Sequence, residues 1–380
     1  MKLQQVTINK DDFESVLYST DQFNAPKANL VLAFGERTFL ESTSPYKKLR
    51  SLYSEAQIVI CSTSGQISNT NLVEHSLVAT AIQLEKSTIR ITEIDILLNS
   101  DIKVLGNKIK EDLLGDDLKS ILIISEGSFI NGTELINELI LQTKELVPIF
   151  GGLAGDEYNF EKTIVGLNSD ASSGKIVAIG FYGDALQFGF SSEGGWSDFG
   201  PEREVTHSEK NVLYKIGDRI ALDLYKEYLG KYAEELPSSS LYFPLSMKEN
   251  KDSEPVVRTI LSIDEEKKSM TFAGNIPNGS TVRLMKGNID KLIDASYQAA
   301  EEIFSKQINT PELALLVSCV GRKIVLGNRI EEEIEAVKEV FGEKMLICGF
   351  YSYGEISPTL NNVACELHNQ TMTLTTISEL

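Results

Sequence analysis

The residues best placed to do chemistry are small, polar and gathered at the ends of apolar runs. The run at 56–60 opens into Cys61, Ser62, Thr63, Ser64, Gly65 and Gln66. A thiol, three hydroxyls and a glycine in one turn suit a nucleophile site, a phosphate cradle, a ligand-contacting turn, or a tight turn without chemistry. As a nucleophile, Cys61 or Ser64 needs a base to take its proton or a charge to lower its pKa. The three histidines, His75, His207 and His368, are all distant in sequence, so only the fold could supply one. The turn lacks the first glycine of a G-x-S-x-G elbow and is not a G-x-x-x-x-G-K-[ST] phosphate loop.

Two further turns share its character. One carries Gly151, Gly152 and Asp156; the other reads Gly349, Phe350, Tyr351, Ser352, Tyr353, Gly354, Glu355. Gly151 and Gly349 stand at or near the position of Cys61, so a catalytic group there would be missing from two turns of three. A requirement for small residues is met in all three, which favours close approach of a ligand or a neighbouring backbone. Gln66, Asp156 and Glu355 place one acceptor after each glycine, and Glu355 could pair a ligand ammonium beside the aromatic faces of Phe350, Tyr351 and Tyr353.

Other candidates stand alone. Arg322 could grip a ligand carboxylate in bidentate fashion, as could Arg258 and Arg283; the plainer reading of each is a solvated or salt-bridged arginine. Cys365 and His368, three apart on a strand, point to opposite faces and cannot share a metal ion. His368, next to Asn369, or His75 could singly hold a haem iron. Glu331, Glu332 and Glu333 read as the solvated face of a helix. Trp196, in the glycine-rich loop 192–200, either packs or covers a site.

The elements that must position these residues recur. Apolar runs ending near Gly35, Gly127 and Gly321 are each followed by a helical stretch and a second apolar run, at 56–60, 146–150 and 345–348. The glycines bounding the units, Gly35 and Gly65, Gly127 and Gly155, Gly321 and Gly354, are 30, 28 and 33 residues apart. That length fits a strand, a helix and a parallel strand joined by a right-handed crossover. Asn131 with Glu134 and Asn328 with Glu331 have the spacing of helix caps, and Ser44-Pro45 reads as a cap followed by a first-turn proline. Leu135, Leu139 and Leu146 form one apolar stripe, and Ile330, Ile334, Val337 and Phe341 another.

Elsewhere the pattern is antiparallel. Strands are expected at 175–183, 185–191 and 203–216, with a helix over 218–229 and a polar loop at 247–255. A meander should run through 256–264, 269–273 and 281–285, followed by a helix over 289–306 and closing strands over 362–377. The fold expected is α/β: two domains, 1–217 and 218–380, built from strand–helix–strand units with parallel strands plus antiparallel meanders.

Composition narrows the function. Thirty-six basic against 55 acidic residues leave a net charge of -19, which repels nucleic acid and anionic membranes. Neither a signal-peptide core nor an apolar run of spanning length is expected. Four scattered cysteines, without a CxxC, read as reduced thiols of a cytoplasmic protein.

In order and spacing, ICSTSGQI, PIFGGLAGD, ALDLYKEYLG, VVRTILSID, NGSTVRLMKGN, SCVGRKIVLG, GFYSYGEI and LHNQTMTLTTI resemble successive elements of the FIST family. These are sensory proteins with an N-terminal and a C-terminal FIST domain. The likeness runs from about residue 28 to the end, with one departure: Gln66 stands where the family's turn often carries Glu. The resemblance implies intracellular sensing of small ligands, amino acids among them, coupled to a partner such as a kinase or cyclic-nucleotide enzyme, and no enzymatic activity is expected of the chain itself. Some members are linked to haem and nitric oxide sensing. The expectation is a ligand at the glycine turns whose binding shifts one domain against the other. The alternatives are a haem-based sensor or an enzyme using Cys61 or Ser64.

Overall fold

The computed structural model describes residues 1–380 apart from 12–13, 99–100, 144–146, 308 and 359–364. Leu146 and the first residues of the closing segment lie outside the described residues.

The three expected units each form a parallel strand pair at the heart of a six-stranded sheet. Leu30–Gly35 pairs with Gln57–Ser62, Leu118–Ser125 with Ile149–Leu153, and Leu313–Cys319 with Leu346–Ser352. Antiparallel strands complete each sheet. The period of two along each strand divides the apolar residues between two cores. Leu30, Leu32, Phe34, Leu122, Ile124, Leu313, Leu315 and Val317 face a core shared by all three sheets. Their neighbours face outward onto helices: Val31 and Ala33 in the first sheet, Ile121 and Ile123 in the second, Ala314 and Leu316 in the third. The result is three α/β layers around one interior.

The two halves of the chain are hydrogen-bonded into the same sheets. Ile149–Leu153 pairs with Gly354–Pro358, Gln66–Ser68 with Cys348–Phe350 of the third unit, and Leu186–Glu193 with Met372–Glu379. A fourth, nine-stranded antiparallel sheet is built from strands between residues 197 and 286. Helix Ala221–Leu229 supplies part of its separate core.

Local signals hold in part. The Asn131 side chain accepts from the Glu134 N–H at 3.2 Å, as a cap should. Helix Ile289–Lys306 spans its expected range and is capped by Asn288. Asn328, however, lies in a 3-10 turn linking Val320–Leu326 to Ile330–Phe341, and the second helix takes no side-chain cap. The strand of the third unit therefore ends at Cys319, leaving Gly321 and Arg322 in a helix. Ser44 is left-handed and ends Arg37–Thr43, so Pro45 sits at the cap of Tyr46–Leu52 rather than inside it. The glycine-rich loop is tied down by Ser197–Asp198 pairing with 285–286 and by the Trp196 Nε1–H, which donates to the Gln370 carbonyl at 2.7 Å.

Among the described residues no helix is long and apolar enough to cross a membrane. No group of three or more His, Cys, Asp or Glu among them is arranged to hold a metal.

Candidate functional site

The three small-residue turns meet at the carboxyl ends of their parallel strands and bond to one another. The Gly155 N–H donates to the Ser62 carbonyl at 3.0 Å, Ser64 N–H to Tyr351 O at 2.8 Å, Tyr351 N–H to Gly65 O at 2.9 Å, and Tyr353 N–H to Leu153 O at 3.2 Å. The small residues admit neighbouring backbone. Gly151, at φ +131°, would place a Cβ 2.0 Å from the Ile123 carbonyl oxygen, and Gly152 lies in register opposite Glu355.

The side chains of the first turn are buried and engaged. The Ser62 hydroxyl accepts from the Ile164 N–H at 2.9 Å, and that of Ser64 donates to the Glu157 carbonyl at 2.9 Å. Oriented by its surroundings, the Gln66 amide oxygen accepts from the Glu36 N–H at 3.0 Å and the Thr63 hydroxyl at 2.8 Å, while its nitrogen faces the Val73 carbonyl. Cys61 faces the shared core, and burial pushes its thiol far above the usual range. It has neither the base nor the exposed, electropositive setting of a reactive cysteine.

Charged groups rim this turn. Asp156 is buried and accepts from Arg37 Nε at 2.8 Å. Burial, and then the neighbouring Glu36 carboxylate, raise the Glu157 carboxyl. His75 Nδ1 stands 3.1 Å from Glu36. Lys323 Nζ donates to the Ser64 carbonyl at 2.8 Å and to Glu74 at 2.5 Å.

In the third turn Phe350 packs on Phe34, centroids 4.7 Å apart, and Tyr353 stacks on Phe160. Tyr351 donates to Glu333 at 2.7 Å. Arg322, fully buried, spends its donors inside the fold: on Glu333 (2.7 Å), Gly194 O (2.7 Å), Leu292 O (2.9 Å) and Ser296 Oγ (3.2 Å). Glu333 is thus no solvated glutamate but the counter-ion of a buried arginine. Glu355, also buried, accepts from Ser352 Oγ at 2.8 Å and from the Thr371 N–H and hydroxyl. Burial dominates all the same and pushes its carboxyl up to about 8.

His368 pairs in register with Glu355. Burial, and then the nearby charge of Arg258, push its imidazole down to about 4, so it is neutral at physiological pH. Its Nε2 and both amide atoms of Asn369 are buried without a hydrogen-bond partner in the protein.

That neighbourhood adjoins a cavity of about 260 Å³ which the turns do not line. Its walls come from helix Gly132–Thr143, the segment 247–254, strand Val256–Arg258, the segment 275–277 and strand Cys365–His368, and they carry Arg258, Glu249, Glu254, Glu366, Asn275 and Thr133. Arg258 is only 4% exposed and, among the described residues, bonds only to backbone carbonyls: Leu367 O at 2.8 Å, Asn275 O and Val257 O at 3.4 Å. Arg283, by contrast, is ion-paired with Asp198 and Glu202. The signal for Arg258 lies in VVRTI. Val256, Arg258 and Ile260 alternate inward, and the arginine occupies a position where apolar residues are expected.

The FIST N domain matches residues 29–219 and the FIST C domain residues 221–358. An uncharacterised protein of Methanocaldococcus jannaschii, MJ1623, is 22% identical over an alignment covering 87% of this chain and 70% of its own. A crystal structure of a cyanuric acid hydrolase from A. caulinodans aligns over 100% of this chain and 98% of its own at 7% identity, with a TM-score of 0.39. With both domains matched in succession along most of its length, the chain belongs to the FIST family.

Proposed function

We propose that this chain is a cytoplasmic sensor that binds an amino acid or similarly small polar molecule, catalyses no reaction, and passes its state to a signalling partner such as a kinase or cyclic-nucleotide enzyme. FIST domains are associated with small-ligand sensing in signal transduction. The observation that carries the non-catalytic part is the state of the turns. Cys61 is enclosed with its thiol pushed up, and the hydroxyl of Ser64 is committed to the Glu157 carbonyl. An activated nucleophile needs an adjacent base or a lowered pKa, and these side chains have neither.

Backbone pairing across the halves opposes a rigid separation of 1–217 from 218–380. The movement we propose is of the nine-stranded sheet, which has its own core, against the three-layered body. The test is a thermal-shift series on the purified protein against amino acids, related small acids and haem. A melting temperature that climbs with amino-acid concentration supports native-state binding. If no amino acid shifts it while a thiol- or serine-directed probe labels Cys61 or Ser64 in the folded protein, the reading fails.

A further inference from the structure

We infer that the cavity lined by Arg258 and Glu366 is the ligand site and that it is built for a small zwitterion, carboxylate on the Arg258 guanidinium and ammonium toward Glu366. The inference rests on the sensor reading and gives it a location.

A buried guanidinium ordinarily has a carboxylate against it, because leaving its charge desolvated and unpaired is costly. Arg322 obeys this rule through Glu333; Arg258 does not. Among the described residues no carboxylate lies within ion-pair distance of it, and its Nη2 donates to no protein acceptor. Its partners are neutral carbonyls, and desolvation lowers its pKa to about 10, still well above physiological pH. A fixed, charged fork with donors to spare is the group that recognises a planar carboxylate.

The surroundings hold the fork in place. Asn275 accepts from Asn131 Nδ2 at 3.0 Å, and its own carbonyl accepts from Arg258 Nε. At position 274 a Cβ would lie 2.9 Å from Arg258 Nε and 3.1 Å from its Cζ, so glycine there leaves the space the guanidinium fills.

Carboxylates also line the cavity. Glu366 Oε2 is buried without a hydrogen-bond partner in the protein. Burial raises this carboxyl first, Arg258 then lowers it, and Glu249 and Glu254 raise it again. Three carboxylates against one guanidinium make a lone anion a poor occupant, while a simple cation leaves the spare Arg258 donors unmatched. A molecule carrying both charges satisfies the guanidinium and the carboxylates together. The volume, about 260 Å³, suits a molecule smaller than a drug-sized ligand. Thr133 and Asn137 come from the N-terminal FIST stretch and Arg258 and Asn275 from the C-terminal one. An occupant would therefore tie the nine-stranded sheet to the body, the coupling a sensor requires.

The experiment is isothermal titration of the full chain with each proteinogenic amino acid, and with acetate and methylammonium as single-charge probes. The expected result is binding of at least one amino acid and of neither single-charge probe. Arg258→Met should weaken it about 100-fold and Glu366→Gln about tenfold, in line with charge-assisted hydrogen bonds. Gly274→Ala, whose methyl displaces a flexible side chain rather than backbone, provides a second way to move the guanidinium should Arg258→Met fail to fold. Amino-acid binding that survives all three substitutions overturns the site and leaves the sensor reading standing. Acetate or methylammonium binding as tightly as any amino acid overturns the zwitterion assignment. If no amino acid binds at millimolar concentration, both the site and the amino-acid reading fall.

Discussion

Replacing Glu355 by glutamine should abolish a specific slope in the pH dependence of stability. Glu355 is fully buried, and burial outweighs its three hydrogen bonds, so its carboxyl titrates at about 8 in the fold against an unfolded value near 4.3. A pKa raised by folding means that the charged form is disfavoured in the native state. The neutral carboxyl's contribution is therefore intact below the unfolded pKa and is lost as pH rises toward about 8. At about 1.4 kcal/mol per pH unit, the loss between pH 5 and pH 7.5 is about 3 kcal/mol. Glutamine cannot ionise, and it can keep its carbonyl toward Thr371 while its nitrogen donates to Ser352, whose hydroxyl can turn to accept. Urea unfolding of wild type and Glu355→Gln across this range should give a stability difference that grows in favour of the variant by about 1.4 kcal/mol per pH unit. A difference that stays flat between about pH 5 and 8 would refute the reasoning, because Glu355 would then ionise as readily in the fold as outside it.

Glu333→Ala strands the buried Arg322 guanidinium and should cost about 3–5 kcal/mol in urea unfolding. The double variant Arg322→Met with Glu333→Leu should recover much of that, and no recovery would mean that the ion pair is not the cause. Gly151→Ala sets a methyl against the Ile123 carbonyl in a left-handed conformation and should cost about 3 kcal/mol or more; an unchanged urea midpoint would contradict the close approach. Cys61 should resist a thiol reagent at neutral pH in the folded protein and react once urea unfolds it; rapid native labelling would reopen the nucleophile reading.

The units were legible because their signals are local. The apolar runs with terminal glycines, the Asn131 cap and the Ile330, Ile334, Val337, Phe341 stripe all lie within a few turns of chain. What could not be read was pairing at a distance. Nothing near Gln66 announces Phe350 as its sheet neighbour, and nothing near Ile149 announces Gly354–Pro358. The burial of the turns follows from those pairings. Glu333 was a missed clue of another kind. It falls three residues after Ile330 and one before Ile334, on the buried stripe, where a carboxylate must find a cation. Arg258 gave the same clue on a strand, an arginine at an inward position of VVRTI. The charge of each side chain points to solvent or a surface ion pair, and only its place in the local period points inward.

The most direct test of the account is hydrogen–deuterium exchange of the full chain with and without a saturating amino acid that binds. Protection gained around Val256–Arg258, 274–277 and Cys365–His368, with the already buried turns at 61–66 and 349–355 unchanged, is the predicted result. Protection confined to those turns, or absent from the cavity walls, would contradict it and return the ligand to the strand ends.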